Sequence, residues 1–240
     1  MIDLHCHILP ALDDGALDLP DSLAMAREAE RDGITVVCAT PHIRDDHDIR
    51  IEELPDRIEE LQRALDSNGV RVRIAQGGEV AQFAADGLSD EHLGAVCLGE
   101  GRCILLEPGP GSMADELLAV AERLLERGLH PIVAHPERHA GVDFEARLAE
   151  LAARGCLIQW TAEFIASVEP SDTDGLMQRL MRAGLVHLLA TDAHSSHGGR
   201  ALRLGPGYAR LREILPADRA DWIERAPQDV LRGAPVTPPW

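Results

Sequence analysis

Hydrophobic residues along this chain gather in short runs, separated by longer stretches in which they recur at helical spacing. Seven runs read as strands. Ile2–Cys6 comes first. Ile34–Ala39 is β-branched and apolar, as expected of a parallel strand covered on both faces. Val70–Gln76, Cys103–Leu106, Ile132–Ala134, Cys156–Trp160 and Leu185–Ala190 follow. Between them, Leu19–Arg31, Ile51–Asp66, Ser112–Arg127, Phe144–Arg154 and Leu176–Ala183 read as amphipathic helices. Leu54, Ile58, Leu61 and Leu65 mark one stripe, and Leu117, Leu118, Ala121, Leu124 and Leu125 another. Asp18 or Asp21 starts the first helix and Gly33 ends it; Asn68-Gly69, Gly128, Gly155 and Gly184 stop later ones. Ala81–Gly101 is the least regular stretch and reads as a long loop with a short helix. Pro206–Leu215 and Arg219–Arg225 read as closing helices, followed by an extended tail after Arg232. No linker or repeat interrupts the series, so one domain spanning 1–240 is expected.

Alternation of strand and helix implies either a barrel or an open doubly wound sheet. The strand ends choose between them. Six runs finish at metal-ligand residues: His5-Cys6-His7, His42, Glu79, Glu107, His135 and Asp192-Ala193-His194. The seventh, Leu157–Thr161, ends without one. In a parallel barrel the carboxyl ends of all strands share one face, whereas an open sheet concentrates its site at one switch point. A barrel with a polynuclear metal site on one rim is therefore expected.

His5 and His7 lie at i and i+2 of a strand and share a face, with Cys6 turned away. Asp192 and His194 repeat that spacing on the last strand. Glu79 and Glu107 each close a strand, where a carboxylate can bridge two ions. Asp13-Asp14-Gly15 is a loop pair after the first strand; one Asp suffices for a metal, and spacing does not say which. Taken singly, His42 or Glu107 is as ordinary as any satisfied polar residue; their shared position at strand ends sets them apart. Nine such residues (His5, His7, Asp14, His42, Glu79, Glu107, His135, Asp192 and His194) exceed the four or so that one zinc needs. Their mixture suits Mn²⁺, Fe²⁺ or Zn²⁺.

Arg138 and Arg200 follow the fifth and last strands on the same face. A guanidinium holds phosphate through its planar fork, so both are candidates to orient one. Cys38-Ala-Thr-Pro-His-Ile-Arg44 has the Cys-x5-Arg spacing of thiolate phosphatases. That chemistry needs backbone N–H groups wrapped around the phosphate. Pro41 removes one, no glycine shapes the loop, and Cys38 belongs to an apolar strand. His130 and His187 precede strands and should lie at the opposite face; His47, His139 and His197 lie on the active side, and Asp13, His47 or His197 would be proton sources.

Composition narrows the class. The chain has 240 residues, 45% hydrophobic and only 3% aromatic, so its core rests on aliphatic side chains. A formal net charge of −18 opposes binding to nucleic acid or to an anionic membrane surface. Five cysteines without a CxxC read as buried thiols. No apolar run reaches the ~18 residues of a membrane span, and the N-terminal residues lack the features of a signal peptide. A cytoplasmic location is expected.

Together, Met-Ile-Asp-Leu-His-Cys-His, Asp13-Asp14-Gly15, Ala-Thr-Pro-His42, Gly-Gly-Glu79, Leu-Leu-Glu107, Ala-His135-Pro-Glu-Arg138 and Ala-Thr-Asp192-Ala-His194 resemble the PHP (polymerase and histidinol phosphatase) superfamily. Within it they look most like the bacterial manganese-dependent protein-tyrosine phosphatases of capsule and exopolysaccharide clusters. The resemblance runs from Met1 to about Leu231. It implies a distorted (β/α)7 TIM-like barrel with three divalent ions, Mn²⁺ foremost and Fe or Zn possible. One ion would take His5, His7, Glu79 and Asp192. A second would take Glu79, Glu107 and His135, and a third Asp14, His42 and His194. Arg138 and Arg200 would contact phosphate. It also implies a phosphotyrosine protein substrate, such as a bacterial tyrosine kinase. Pro108–Gly111, Trp160–Glu163 and Glu163–Asp174 depart from the family's pattern on the substrate side. The expected chemistry is hydrolysis of a phosphate monoester by a metal-bridging hydroxide, with Asp13 a candidate proton donor. The alternatives are a phosphatase of a small monoester, such as histidinol phosphate or a nucleotide, and a metal-stabilised module that binds phosphopeptide without cleaving it.

Overall fold

The strand ladder is parallel throughout, and its breaks place the site. The computed structural model describes residues 1–109, 115–198 and 200–240. In chain order the strands are β1 (Ile2–Cys6), β2 (Val36–Ala39), β3 (His42–Ile43), β4 (Arg73–Ala75), β5 (Glu79–Ala81), β6 (Cys103–Glu107), β7 (His130–Val133), β8 (Leu157–Thr161) and β9 (Leu188–Ala190). The helices are α1 (Leu19–Asp32), α2 (Leu54–Ser67), α3 (Asp90–Ala95), α4 (Asp115–Glu126), α5 (Phe144–Ala153), α6 (Ala162–Ala166), α7 (Leu176–Arg182), α8 (Gly205–Ile214) and α9 (Ala217–Leu231). These strands form two parallel sheets, β1-β2-β4 and β3-β5-β6-β7-β8-β9. A parallel bridge between Cys6 and Ala193 joins the last strand to the first. The ring is the expected distorted seven-stranded barrel, with two of its strands each broken in two.

The breaks have local causes. Pro41, between β2 and β3, has no N–H to offer the ladder. Gly77 and Gly78, between β4 and β5, pass so close to Leu98 and Val96 that an added Cβ would lie 2.8 Å from each side chain. Past the breaks the strands re-pair, with His42 directly opposite Glu79. The irregularity thus sets two candidate ligands side by side. The predicted strand Val70–Gln76 corresponds to β4 alone, and β5 is a separate segment.

Closure of the ring rests on a buried carboxylate. Asp3 accepts hydrogen bonds from the Thr191 N–H at 3.0 Å and the Thr191 hydroxyl at 2.5 Å. The Asp192 N–H donates to the His5 carbonyl at 2.8 Å, and the His7 N–H to the Ala193 carbonyl at 2.9 Å. Burial pushes the Asp3 carboxyl up to about 6.

Alternation along each strand sorts the interior into layers. Leu4, Cys38, Cys103, Leu105, Ile132, Leu157 and Leu188 fill the lower barrel, with Ala226, Val230 and Leu231 of α9 plugging its base. Two residues further on the same faces the side chains turn polar: Glu107 follows Leu105, and Gln159 follows Leu157. The opposite strand faces pack under the helices in a second, larger apolar cluster.

The helices agree with the apolar spacing, with several differences. Asp18 caps α1, accepting from the Asp21 N–H. The predicted start at Ser112 of the helix observed as α4 lies outside the described residues. The closing helix does not end at Arg225: α9 runs to Leu231 with Pro227 inside it, because its apolar face is buried under the barrel. α6 was not visible as a helix in the sequence. The tail carries no helix or strand, and Trp240 anchors it by donating to the Gly184 carbonyl at 3.1 Å.

His187 sits at the lower face as expected, but it is buried: its Nδ1 accepts from the Ile158 N–H at 2.9 Å. Burial pushes its pKa down to about 4. The unfolded imidazole titrates near ~6.5. Stability from this group is therefore complete above ~6.5 and is lost as pH falls toward 4, by up to about 3 kcal/mol. In metal-free protein, the urea midpoint of the wild type should fall more steeply between pH 6.5 and 4 than that of His187→Gln; parallel curves would show that the neutral imidazole has no such role.

Candidate metal centre

All nine residues proposed from strand ends lie at the upper rim, in four overlapping groups: His7, Asp14, His42 and His194; His5, His135 and Asp192; His5, His7 and Glu79; and His42, Glu79 and Glu107. Within each group the ligand atoms lie within 4.8 Å of one another. β1 brings in His5 and His7, whose Nε2 atoms are 3.2 Å apart. Both face Glu79 Oε2 at 3.3 Å. They face Asp192 Oδ1 at 3.3 and 3.4 Å. His135 Nε2 reaches Glu79 Oε1 at 2.7 Å. His42 places Nδ1 2.9 Å from Glu79 Oε2 and 3.8 Å from Glu107 Oε2. Its Nε2 is 3.2 Å from Asp14 Oδ1, which His194 Nε2 approaches at 3.4 Å.

Two ligand-bearing residues hold left-handed backbone without being glycine: His135 at φ 28° and Asp192 at φ 51°. Such conformations cost about 1–3 kcal/mol each and concentrate at functional sites. Here they turn the strand ends so that both side chains enter the cluster.

The donor set fits a cation cluster. Glu79 Oε2 and Asp192 Oδ1 are buried carboxylate oxygens that face imidazoles at 2.9–3.4 Å without a well-aligned hydrogen bond, and His42 Nδ1 makes none either. A buried charge without compensation costs several kcal/mol. Burial alone would push His5 and His7 down; Glu79 and Asp192, joined by Asp13 at His7, overcome it and hold both imidazoles above their ordinary value. Burial would likewise raise Glu79, but His5, His135 and His42 hold it well below the usual carboxylate range. Glu107 is raised by burial and by Glu79 beside it. His194 is pushed down to about 3 by burial and by neighbouring His7. The rim's carboxylates demand positive charge, which divalent ions supply in exchange for protons.

Asp13 and Asp14 separate clearly. Asp14 joins His42 and His194, whereas Asp13 lies behind His7. Asp13 Oδ2 is 2.7 Å from His7 Nδ1 and accepts from the His42 N–H at 3.1 Å, while Oδ1 accepts from the Gly15 N–H at 3.0 Å. Burial notwithstanding, these contacts hold its carboxyl well below the usual range. An ionised carboxylate with both oxygens engaged does not serve as the proton donor expected of it; it fixes the orientation of His7. Arg138 and Arg200 both donate to Asp192 Oδ2. Both guanidinium groups therefore lie at the rim beside the candidate ligands. His47 stacks on His42 at 5.3 Å, and His197 is mostly exposed, 3.9 Å from Asp21.

Three contributors escaped the sequence reading. Gln159 Oε1 lies 3.0 Å from His5 Nδ1, so the strand thought to carry no ligand orients one. Its signal was a lone amide in an apolar run. Asp21, a possible helix cap by sequence, instead accepts from the Ser196 N–H and hydroxyl at 2.9 and 2.6 Å and from the Ser195 hydroxyl at 3.2 Å. It latches the loop between His194 and Arg200. Arg44 reaches Glu107 at 3.7 Å. The thiolate motif fails in space as well: Cys38 is wholly buried, and burial pushes its thiol far above the ordinary range.

The family model for capsular polysaccharide synthesis, CpsB/CapC, matches residues 1–231. The tyrosine-protein phosphatase YwqE of Bacillus subtilis (strain 168) is 32% identical over 206 residues, covering 81% of this chain and 78% of that protein. The tyrosine-protein phosphatase CpsB of Streptococcus agalactiae serotype V is 26% identical over 207 residues, covering 81% and 83%. A crystal structure from work on YwqE of Bacillus subtilis and CpsB of Streptococcus pneumoniae, described as unique metal-dependent tyrosine phosphatases, superposes with a TM-score of 0.84. It is 25% identical and covers 98% of this chain and 96% of its own.

Glu79 belongs to two of the four ligand groups and is reached by four imidazoles, whereas Glu107 belongs to one. Metal analysis after dialysis should therefore show a larger loss of bound divalent metal for Glu79→Ala than for Glu107→Ala. Equal losses, or none, would contradict the sharing of Glu79.

Proposed function

The chain belongs to the CpsB/CapC family of capsular polysaccharide synthesis, and from that membership we propose that it is a metal-dependent protein-tyrosine phosphatase acting in capsule or exopolysaccharide production. The observation that carries this is the pair of buried carboxylate oxygens, Glu79 Oε2 and Asp192 Oδ1, ringed by imidazoles beneath two arginines. The names of the similar proteins support the choice of tyrosine phosphate.

His5, His7, Glu79 and Asp192 would hold one ion, Glu79, Glu107 and His135 a second, and Asp14, His42 and His194 a third. Mn²⁺ is proposed, since mixed imidazole and carboxylate donors suit it; Fe²⁺ or Zn²⁺ are the competitors. When bound, such ions supply a water acidified toward neutral pH and positive charge for phosphoryl oxygens.

The remaining steps fall to the chain's own residues. Arg138 and Arg200 exchange their shared bond to Asp192 for bidentate bonds to the phosphate and orient it for in-line attack. Gln159 and Asp13 hold His5 and His7 in fixed rotamers and tautomers, as partners behind metal-ligating imidazoles do. Asp21 keeps the Arg200 loop against the barrel. A tyrosine phenol, with pKa near ~10, leaves without a strong general acid, so Asp13 need not donate a proton. The substrate would be a phosphotyrosine protein such as a bacterial tyrosine kinase. Five buried free thiols suit a reducing cytoplasm, and among the described residues no helix is long and apolar enough to cross a membrane.

Protein stripped of metal should release no phosphate from a phosphotyrosine peptide, and activity should return when Mn²⁺, Fe²⁺, Zn²⁺ or Mg²⁺ is added singly, best with Mn²⁺. Arg138→Ala and Arg200→Ala should each lower kcat/KM by about 100-fold, and Cys38→Ser should leave activity near that of the wild type. Activity without metal, or its loss in Cys38→Ser at unchanged metal content, would overturn the proposal. Faster turnover of histidinol phosphate or a nucleotide would move the substrate to a small monoester; metal-dependent binding without phosphate release would leave a binding module.

A further inference from the structure

The segment that departs from the family's pattern lines a cavity that also includes Glu137, the residue before Arg138. Trp160 in β8 forms its floor and is wholly buried, with its indole N–H donating to the Leu185 carbonyl at 2.9 Å. Phe164 of α6 stacks on it at 6.1 Å and 16°, and Phe144 meets it edge-on at 6.3 Å and 84°. Phe164 keeps 37% of its surface exposed, so an aromatic face is open to a ligand. The cavity holds about 450 Å³.

Three carboxylates line the same cavity: Glu137, Glu169 and Asp172. Glu137 Oε1 accepts from the Thr161 N–H at 3.0 Å, while Oε2 is buried without a hydrogen-bond partner. Glu169 and Asp172 are exposed. The cations on the neighbouring helix α7 are engaged elsewhere: Arg179 pairs with Glu145 at 3.6 Å and Arg182 donates to the Thr173 carbonyl and to Gln178.

An aromatic surface ringed by carboxylates selects a cation. Ring faces attract positive charge, and carboxylates add charge-assisted hydrogen bonds. A neutral apolar side chain would fill the volume but would desolvate the carboxylates without compensation. Glu137 immediately precedes Arg138 in the short segment Pro136–His139, so the cavity and that arginine are built from the same turn. An extended peptide advances about 3.3 Å per residue, so four residues on either side of the phosphotyrosine sweep about 13 Å.

We propose that this cavity binds an arginine or lysine side chain of the substrate peptide, close in sequence to the phosphorylated tyrosine. The inference rests on the phosphotyrosine reading and adds a specificity determinant to it: Phe164 supplies the exposed ring, and Glu169 and Asp172 supply the charge.

The test uses the full chain loaded with Mn²⁺ and peptides with one phosphotyrosine. Arginine is placed in turn at each position within four residues on either side and compared with glutamine. The best arginine peptide should exceed its glutamine counterpart by about tenfold in kcat/KM, mainly through KM, and the gain should shrink at high salt. In the double variant Glu169→Gln, Asp172→Asn the gain should vanish while hydrolysis of p-nitrophenyl phosphate is unchanged. Calorimetry with phosphonate peptides that cannot be hydrolysed reads the cavity apart from turnover and should show the same preference. No arginine advantage at any position, or one that survives in the double variant, would overturn the inference. If no phosphotyrosyl peptide is hydrolysed yet the arginine preference in binding persists, the phosphatase reading falls and the cavity assignment stands.

Discussion

Glu79 and Asp192 are buried at the barrel rim, each with one oxygen outside any well-aligned hydrogen bond, and the arrangement around them answers their negative charge. His5 and His7 face both carboxylates, His42 and His135 face Glu79, and Arg138 and Arg200 converge on Asp192. A fold does not keep such groups unmatched without a strong counterweight, because the penalty rivals a large share of a domain's net stability. Divalent cations are the counterweight that this mixture of imidazole and carboxylate donors is suited to hold.

The barrel exists to keep those groups in place. Parallel strands deliver their carboxyl ends to one rim, and the aliphatic layer beneath fixes their depth. Asp3 and Thr191 lock the first strand to the last, directly below His5 and Asp192. The distortions are part of the same design. Pro41 and the close approach at Gly77 and Gly78 break two strands, and the re-paired ends set His42 beside Glu79. Behind the candidate ligands, Asp13, Gln159 and Asp21 restrain His7, His5 and the loop that carries Ser195 and Ser196. Trp160 and Phe164 stack on the outer wall, in a stretch that departs from the family's pattern.

Much of this was legible in the sequence because the signals were local and periodic. Strand runs, helix stripes and ligands at strand ends are read along the chain, and all nine candidate ligands do share one rim. What escaped depends on contacts distant in sequence. Gln159 acquires its role only because closure of the ring brings β8 next but one to β1, 154 positions away in sequence. Asp21 looked like a helix cap, but Asp18 takes that role and frees it for Ser195 and Ser196, some 175 positions on. Asp13 and Asp14 have the same chemistry and adjacent positions, so only the fold of the loop separates them. α9 outran its expected end because burial under the barrel outweighs the proline within it.

The most direct test is anomalous diffraction from crystals of the Mn²⁺-loaded protein, recorded on both sides of the manganese edge. The account predicts several separate peaks within the rim, with Glu79 between two of them and His5, His7, His42, His135, Asp192 and His194 within coordination distance. A rim without anomalous density, or Glu79 and Asp192 turned away from it, would contradict the claim that these side chains are held together by cations.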